Sequence, residues 1–228
     1  KPADSSLTNP ALGDFVRRTD RPDLFQGKLT NFNVTVNYEF DFAELISSTT
    51  LSTFDQSFVV DLAGTFAQAF PFALDAYAYD DLFVQETRLV SRHPGPLQWV
   101  AGFFYFNKRR DVDYNYRSSP AYLASHNLTG LPDEYYQRFN SYFNQSEIAG
   151  FGELTLHFTD DFWVTGGLRY GNSAVQGFTR GGGYSSNYLA LALGGVSNRA
   201  LTITPVNYLE GLKASDNQLS WKASVSWR

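Results

Sequence analysis

The chain has 228 residues, with 23 Asp and Glu against 18 Lys and Arg, a formal net charge of −5 and a pI near 5.1. An acidic balance of this kind argues against a nucleic-acid partner, which would call for a basic face. The absence of Cys excludes thiolate metal sites, a Cys nucleophile and a disulfide framework. No stretch approaches the roughly 18 consecutive apolar residues of a membrane-spanning helix; the apolar run from Tyr188 to Val196 falls well short. Aromatic residues nevertheless make up 17% of the chain, 20 Phe and 14 Tyr among them, while the mean hydropathy is −0.29. A transmembrane β-barrel meets both conditions because lipid-facing and lumen-facing residues alternate. A soluble β-sandwich also alternates.

Taken in chain order, the opening Lys1 to Ser6 is polar and lacks the regions of a secretory signal, and the chain contains no Met. We therefore expect the natural start to lie outside these residues, and residues 1–28 to be a lead-in or extracellular loop before a barrel portion at 29–228. In 31–42, Phe32, Val34, Val36, Tyr38, Phe40 and Phe42 alternate with Asn31, Asn33, Thr35, Asn37, Glu39 and Asp41. Successive side chains on a strand point to opposite faces, so this strand separates an oily phase from a watery one. Its length exceeds the roughly 9–11 residues that a tilted strand needs to cross a bilayer.

Weaker strands are predicted at 45–59, 82–92, 97–112, 146–158 and 162–178. In the fifth strand Leu154, Leu156 and Phe158 oppose Glu153, Thr155 and His157; in the sixth Val164, Gly166, Leu168 and Tyr170 oppose Thr165, Gly167 and Arg169. A seventh alternates Leu219, Trp221, Ala223, Val225 and Trp227 with Ser220, Lys222, Ser224, Ser226 and Arg228. Short turns are expected at Phe42–Leu45, at Arg92–Pro96 and at Thr159–Asp161, where Pro-Gly or paired Asp supply turn chemistry. They alternate with long connections at about 60–81, 113–145 and 179–216. Such alternation is the pattern of outer-membrane barrels, whereas compact domains rarely carry several loops beyond about 15 residues. Acidic outer loops suit a Gram-negative cell surface.

The fold class expected is therefore all-β, an antiparallel up-and-down segment of about seven transmembrane strands with long extracellular loops. The first and seventh strands of a meander run the same way, so closing seven would need a parallel seam, and bacterial single-chain barrels have even strand numbers. Open edges in lipid would leave unsatisfied backbone groups, each costing several kcal/mol, roughly. An arc of a larger barrel is the expectation, and the alternation running to Arg228 agrees with it.

The run Gln85-Glu86-Thr87-Arg88-Leu89-Val90-Ser91, followed by Leu97-Gln98-Trp99-Val100-Ala101-Gly102-Phe103-Phe104-Tyr105, resembles a strand pair of the TonB-dependent receptor barrel. Ala149 to Thr155, Gly166 to Tyr170 and Ser47 to Thr50 resemble further strands of that family, in the same order. The resemblance covers about residues 25–228. It implies a Gram-negative outer-membrane location and active import of a scarce ligand, of the ferric siderophore, cobalamin or glycan class. It also implies a lumen plug and the TonB-ExbB-ExbD system as partners, alongside outer-membrane lipid and lipopolysaccharide. No plug, TonB box or closing strand is recognisable within these 228 residues, so they are expected to be part of such a receptor. The alternatives are a passive porin-like channel and a soluble β-rich carbohydrate-binding module. An outer-membrane barrel enzyme would need a Ser, a His and an acid near one rim, and no spacing nominates them.

Candidate contacts follow from this frame. Glu86 and Arg88 share a strand face and Arg169 and Gln98 stand on neighbouring strands. These lumen-facing groups suit a plug or a permeating ligand, or a plain ion-pair network. Trp99, Tyr105, Trp163, Trp221 and Trp227 are either ligand stackers or girdle aromatics at the bilayer borders. Arg109, Arg110, Tyr114, Tyr116, Tyr135 and Tyr136, together with Tyr122, form a loop mixture able to stack on and hydrogen-bond a ligand and to grip lipopolysaccharide. Asp111-Val112-Asp113-Tyr114-Asn115 imitates the start of a calcium loop, but Tyr116 stands where Gly is needed and Tyr122 where a bidentate Glu is needed. His93, His126 and His157 lack metal-ligand spacing, and Gly181-Gly182-Gly183 lacks the Lys-Ser/Thr of a phosphate loop and reads as a loop tip. No catalytic residue, metal or cofactor is expected.

Overall fold

The structure is a computed structural model that describes residues 22–61, 72–92, 94–118, 135–183 and 204–228; among these, side chains are described except at 72, 118, 135–139, 181–183 and 204–210. Seven strands form one sheet: β1 (Leu24–Glu39), β2 (Ala43–Asp61), β3 (Phe72–Ser91), β4 (Leu97–Ser118), β5 (Tyr135–Thr159), β6 (Phe162–Gly183) and β7 (Thr204–Trp227). Each pairs antiparallel with the next, and the spatial order equals the chain order. The up-and-down, seven-stranded architecture expected from the alternation is the one observed. No helix among the described residues is long and apolar enough to cross a membrane.

Directly opposed residues share a face, so the register carries the two-sided pattern of β1 across the whole sheet. One lateral row runs Val36, Ser47, Thr87, Phe103, Gly150, Tyr170, Leu219. This outer face holds most of the exposed large apolar side chains, among them Val36, Phe103, Leu154, Leu168, Leu219, Trp221 and Trp227. The neighbouring row, Ser48, Glu86, Phe104, Ala149, Gly171, Gln218, belongs to the inner face. Where the outer face turns polar on β2 and β3, the groups satisfy one another. Gln85 Nε2 donates to Ser47 and Thr87 at 2.9 Å each, Thr49 donates to Gln85, and Ser47 and Thr87 lie 3.0 Å apart. Closed hydrogen bonding is what makes such groups tolerable against hydrocarbon.

The apolar outer run on β4 is Leu97, Trp99, Ala101, Phe103, Tyr105, and it ends at Asn107. Asparagine pairs mark that border on both flanks: Asn107 Nδ2 donates to Asn144 Oδ1 and Asn172 Nδ2 to Asn217 Oδ1, each at 2.8 Å. Nine residues of band fit a tilted crossing of the bilayer. The strands, at 16 to 25 residues, run well beyond it.

This overreach corrects several loop expectations. Residues 72–81, 113–118, 135–145, 179–183 and 204–216 are strand, not connection. Gly181-Gly182-Gly183 pairs with Phe139, Arg138 and Gln137 and is the end of β6 and not a loop tip. Beyond the bilayer both faces are wet, so the apolar/polar alternation fades while the hydrogen-bonded ladder continues. The remaining connections, 62–71, 119–134 and 184–203, with His126 and Tyr122, lie outside the described residues, as does His93. Residues 1–21, most of the expected lead-in, do so too.

The first turn sits at Phe40-Asp41-Phe42, two residues earlier than expected, with Phe40 N donating to Ala43 O at 2.8 Å. Tyr38 meets Phe40 edge-to-face and Phe40 stacks on Phe42, with centroids 4.7 and 5.7 Å apart. Their rings keep the strand's alternation going past its last paired residue. Between β6 and β7 the register shifts near Thr179, where Gly177 faces Leu212 and Thr179 faces Leu209. The extra β7 residue of this step falls beside Gly211, whose φ of 70° a glycine adopts without steric cost, and a second follows where Arg180 faces Asn207.

Candidate functional site

The inner face carries the chemistry, and its register decides which charges meet. On the half nearer the short turns, Glu86 and Arg88 are neighbours along β3 with their charged atoms 3.7 Å apart. Arg169 on β6 bonds Glu147 on β5, and its guanidinium lies 5.1 Å from the Phe104 ring centroid. Lys222 on β7 reaches across β6 to Glu153 on β5. The residue it crosses is Gly167, where a Cβ would stand 3.2 Å from Lys222 Cγ and Cε, so the missing side chain opens the path. These six charges cancel in pairs. All but Glu147 border a groove of about 560 Å³ with Val100 and Phe151. Half-exposed ion pairs of this kind are worth about 0–1 kcal/mol each, so they order the wall more than they stabilise it.

On the half nearer the long connections, Asp80 of β3 stands opposite Arg110 of β4. Arg110 and Lys108 both approach Asp80 Oδ2, at 3.7 and 3.6 Å. The other oxygen, Oδ1, is buried and accepts no hydrogen bond among the described residues. Around this group the same face presents Phe25, Phe54, Phe58, Tyr114, Tyr116 and Phe143.

The expected site residues therefore divide. Glu86, Arg88, Arg169 and Gln98 share the inner face, as do Arg110, Tyr114 and Tyr116. Arg109 points to the outer face, opposite Asp81, and is exposed. None of these four β4 residues is on a loop; the reach of β4 to Ser118 corrects that placement. Tyr135 and Tyr136 open β5, and their side chains lie outside the described ones. Trp99, Tyr105, Trp221 and Trp227 are on the outer face and meet lipid, while Trp163 is inward and stacks on His157 at 5.5 Å. Asp80 escaped the sequence reading because 60–81 carried no boundary-type alternation, and Lys108, within the strand predicted at 97–112, takes on a role only through its contact with Asp80. Glu147 and Lys222 were legible as polar strand positions, but their partners depend on register. No group of three or more His, Asp or Glu able to hold a metal occurs among the described residues.

At the short-turn rim, Arg92 bonds Glu39 at 2.5 Å. The Glu39 carboxylate, through the hydrogen bond first and its charge second, pushes the Arg92 guanidinium above the ordinary arginine range. The pair ties the ends of β1 and β3 across β2.

A meandering sheet with a hydrocarbon-facing side, a water-facing side and short turns along one end is a section of an outer-membrane β-barrel wall. Residues 2–228 match the family described as TonB dependent receptor-like, beta-barrel, and the chain belongs to that family. This is an outer-membrane family of Gram-negative bacteria, made up of receptors and not enzymes. No curated protein matches the chain by sequence. Among solved structures, the chain is similar to the ferric yersiniabactin uptake receptor FyuA from Yersinia pestis, with 15% identity and a TM-score of 0.63, over 89% of this chain and 26% of that one. It is similar also to the closed form of the ferric-catecholate import receptor Fiu from E. coli K12, with 14% identity and a TM-score of 0.59, over 92% of this chain and 32% of that one. The chain thus spans about a quarter to a third of these receptors, and at such identity the likeness is one of fold.

Proposed function

We propose that residues 1–228 form part of the wall of a receptor that actively imports a scarce nutrient across the outer membrane, of the ferric siderophore, cobalamin or glycan class. The family match over residues 2–228 is the observation that carries this reading. The long-connection end faces the outside, where Lys108, Arg110, Tyr114 and Tyr116 offer ligand contacts. The paired charges at Glu86, Arg88, Glu147, Glu153, Arg169 and Lys222 face the lumen plug. Lipopolysaccharide and lipid surround the outer face, and the TonB-ExbB-ExbD system supplies energy. The free edges of β1 and β7 pair with further strands of the closed barrel, since unpaired backbone groups in lipid are costly.

The test is uptake of radiolabelled iron complexes, cobalamin and oligosaccharides by cells with and without the receptor. Uptake of one class that needs the receptor and is abolished by a protonophore is expected. Receptor-dependent uptake that is insensitive to the protonophore and linear in concentration would replace this reading with a passive channel.

A further inference from the structure

The charges of the long-connection half are sorted by face. Asp55, Asp75, Asp81, Asp111 and Asp113 all fall on the outer face by register, whereas Lys108 and Arg110 fall on the inner one. Among the described residues, Asp80 is the only carboxylate in the inner-face rows of Lys108 and Arg110; Asp216, which like Glu147 lies one row nearer the short turns, stands on β7, three strands from β4. Glu147, one row nearer the short turns, is already bonded to Arg169. The other side chains facing the two cations are Ser52 and Phe54 from β2, Leu82 from β3, Gln145 and Phe143 from β5, and Val175 from β6. In a chain with net charge −5, these two rows thus set two cations against one carboxylate. The bases sit among aromatic rings, with side-chain exposures of 31% for Lys108 and 40% for Arg110. Asp80 holds them loosely, beyond direct hydrogen-bond distance, so their donors remain available to a third group.

We propose that Lys108 and Arg110 bind a multiply charged anion that also carries aromatic or other apolar surface, and that this is the chemical class of the imported ligand. This rests on the importer reading above. Two cations on one β4 face, at i and i+2, stand about 6–7 Å apart along the strand. That spacing lets one compact anion bridge both, while the phenylalanines and tyrosines cover its apolar faces. Away from bulk water such charge-assisted hydrogen bonds are the strong ones. Asp80 orients the bases and is partly displaced by the incoming anion.

The test uses the complete receptor in outer-membrane vesicles and two probes, the trianionic ferric tris-catecholate of 2,3-dihydroxybenzoate and the neutral ferric tris-acetohydroxamate. The trianion should bind more tightly than the neutral complex, and more weakly as salt is raised. Lys108→Gln with Arg110→Gln should weaken trianion binding by at least about tenfold, while Lys108→Arg with Arg110→Lys, which keeps both charges, should restore most of it. Asp80→Asn, removing the opposing carboxylate, should tighten it. Equal loss in the neutralised and the charge-keeping pairs would reduce the two residues to a packing role and overturn the proposal, as would no trianion binding or a preference for the neutral complex. Energised uptake of the neutral complex, unchanged in the neutralised pair, would overturn the anion assignment and leave the importer standing. Absence of energised uptake for every tested class would count against the importer itself.

Discussion

Placing an arginine on each face of β1 separates the hydrocarbon side from the lumen side at adjacent residues. Val36 is on the outer face and 53% exposed. At about 3.3 Å per residue and a tilt near 40°, it lies roughly 8 Å above Glu39 and 15 Å below Thr30, well inside the apolar band. Val36→Arg should therefore cost about 2–3 kcal/mol, toward the range measured for basic residues near a barrel midplane. Thr35 points inward, where its hydroxyl donates to Asn33 Oδ1 at 3.2 Å. Thr35→Arg gives up that bond and a longer one to Ser48 Oγ at 3.4 Å, about 1 kcal/mol in all. Reversible urea unfolding of the complete barrel from lipid vesicles measures both. Equal costs, or a larger one for Thr35→Arg, would mean that β1 does not separate lipid from water and would refute the face assignment.

Gly177→Ala should destabilise by about 1–3 kcal/mol, because its Cβ would fall 2.4 Å from the Tyr142 carbonyl oxygen, which cannot swing away; Gly150→Ala, with nothing within 4 Å, should be close to neutral in the same unfolding assay. Gly167→Val should block the path of Lys222 to Glu153. The Gly167→Val and Lys222→Ala single variants should then show similar stability losses, and their combination should cost less than the sum in a double-mutant cycle. Cys introduced at Ser118 should label from outside intact cells with an impermeant maleimide, and Cys at Gly95 should not; labelling of both would overturn the sidedness.

Within the bilayer the fold was legible because lipid and water impose opposite demands on alternate residues. Phe32 to Tyr38 and Leu219 to Trp227 record that demand directly. Outside the bilayer the demand disappears. Ala73 to Asp81 is strand because it pairs with Thr53 to Asp61 on β2, yet its Ala and Asp content is poor in strand signal. The candidate site suffered most from this. Arg110, Tyr114 and Tyr116 were found by residue type, while the shared strand face of all three, and the meeting of Arg110 with Asp80, follow only once β4 is known to continue to Ser118 and β3 to begin at Phe72. Partners such as Lys222 and Glu153, two strands apart, needed the register and the gap at Gly167.

The most direct measurement is a nitroxide scan along β4, one spin label at a time from residue 97 to 113 in the lipid-reconstituted receptor, with collision rates for oxygen and for a water-soluble nickel complex. Labels at 99, 101, 103 and 105 should favour oxygen and those at 98, 100, 102, 104 and 106 should be shielded from it. That two-residue contrast should fade from 107 onward as both faces meet water. Loss of the period within 98–106, or nickel access at the odd positions there, would contradict a membrane-spanning wall.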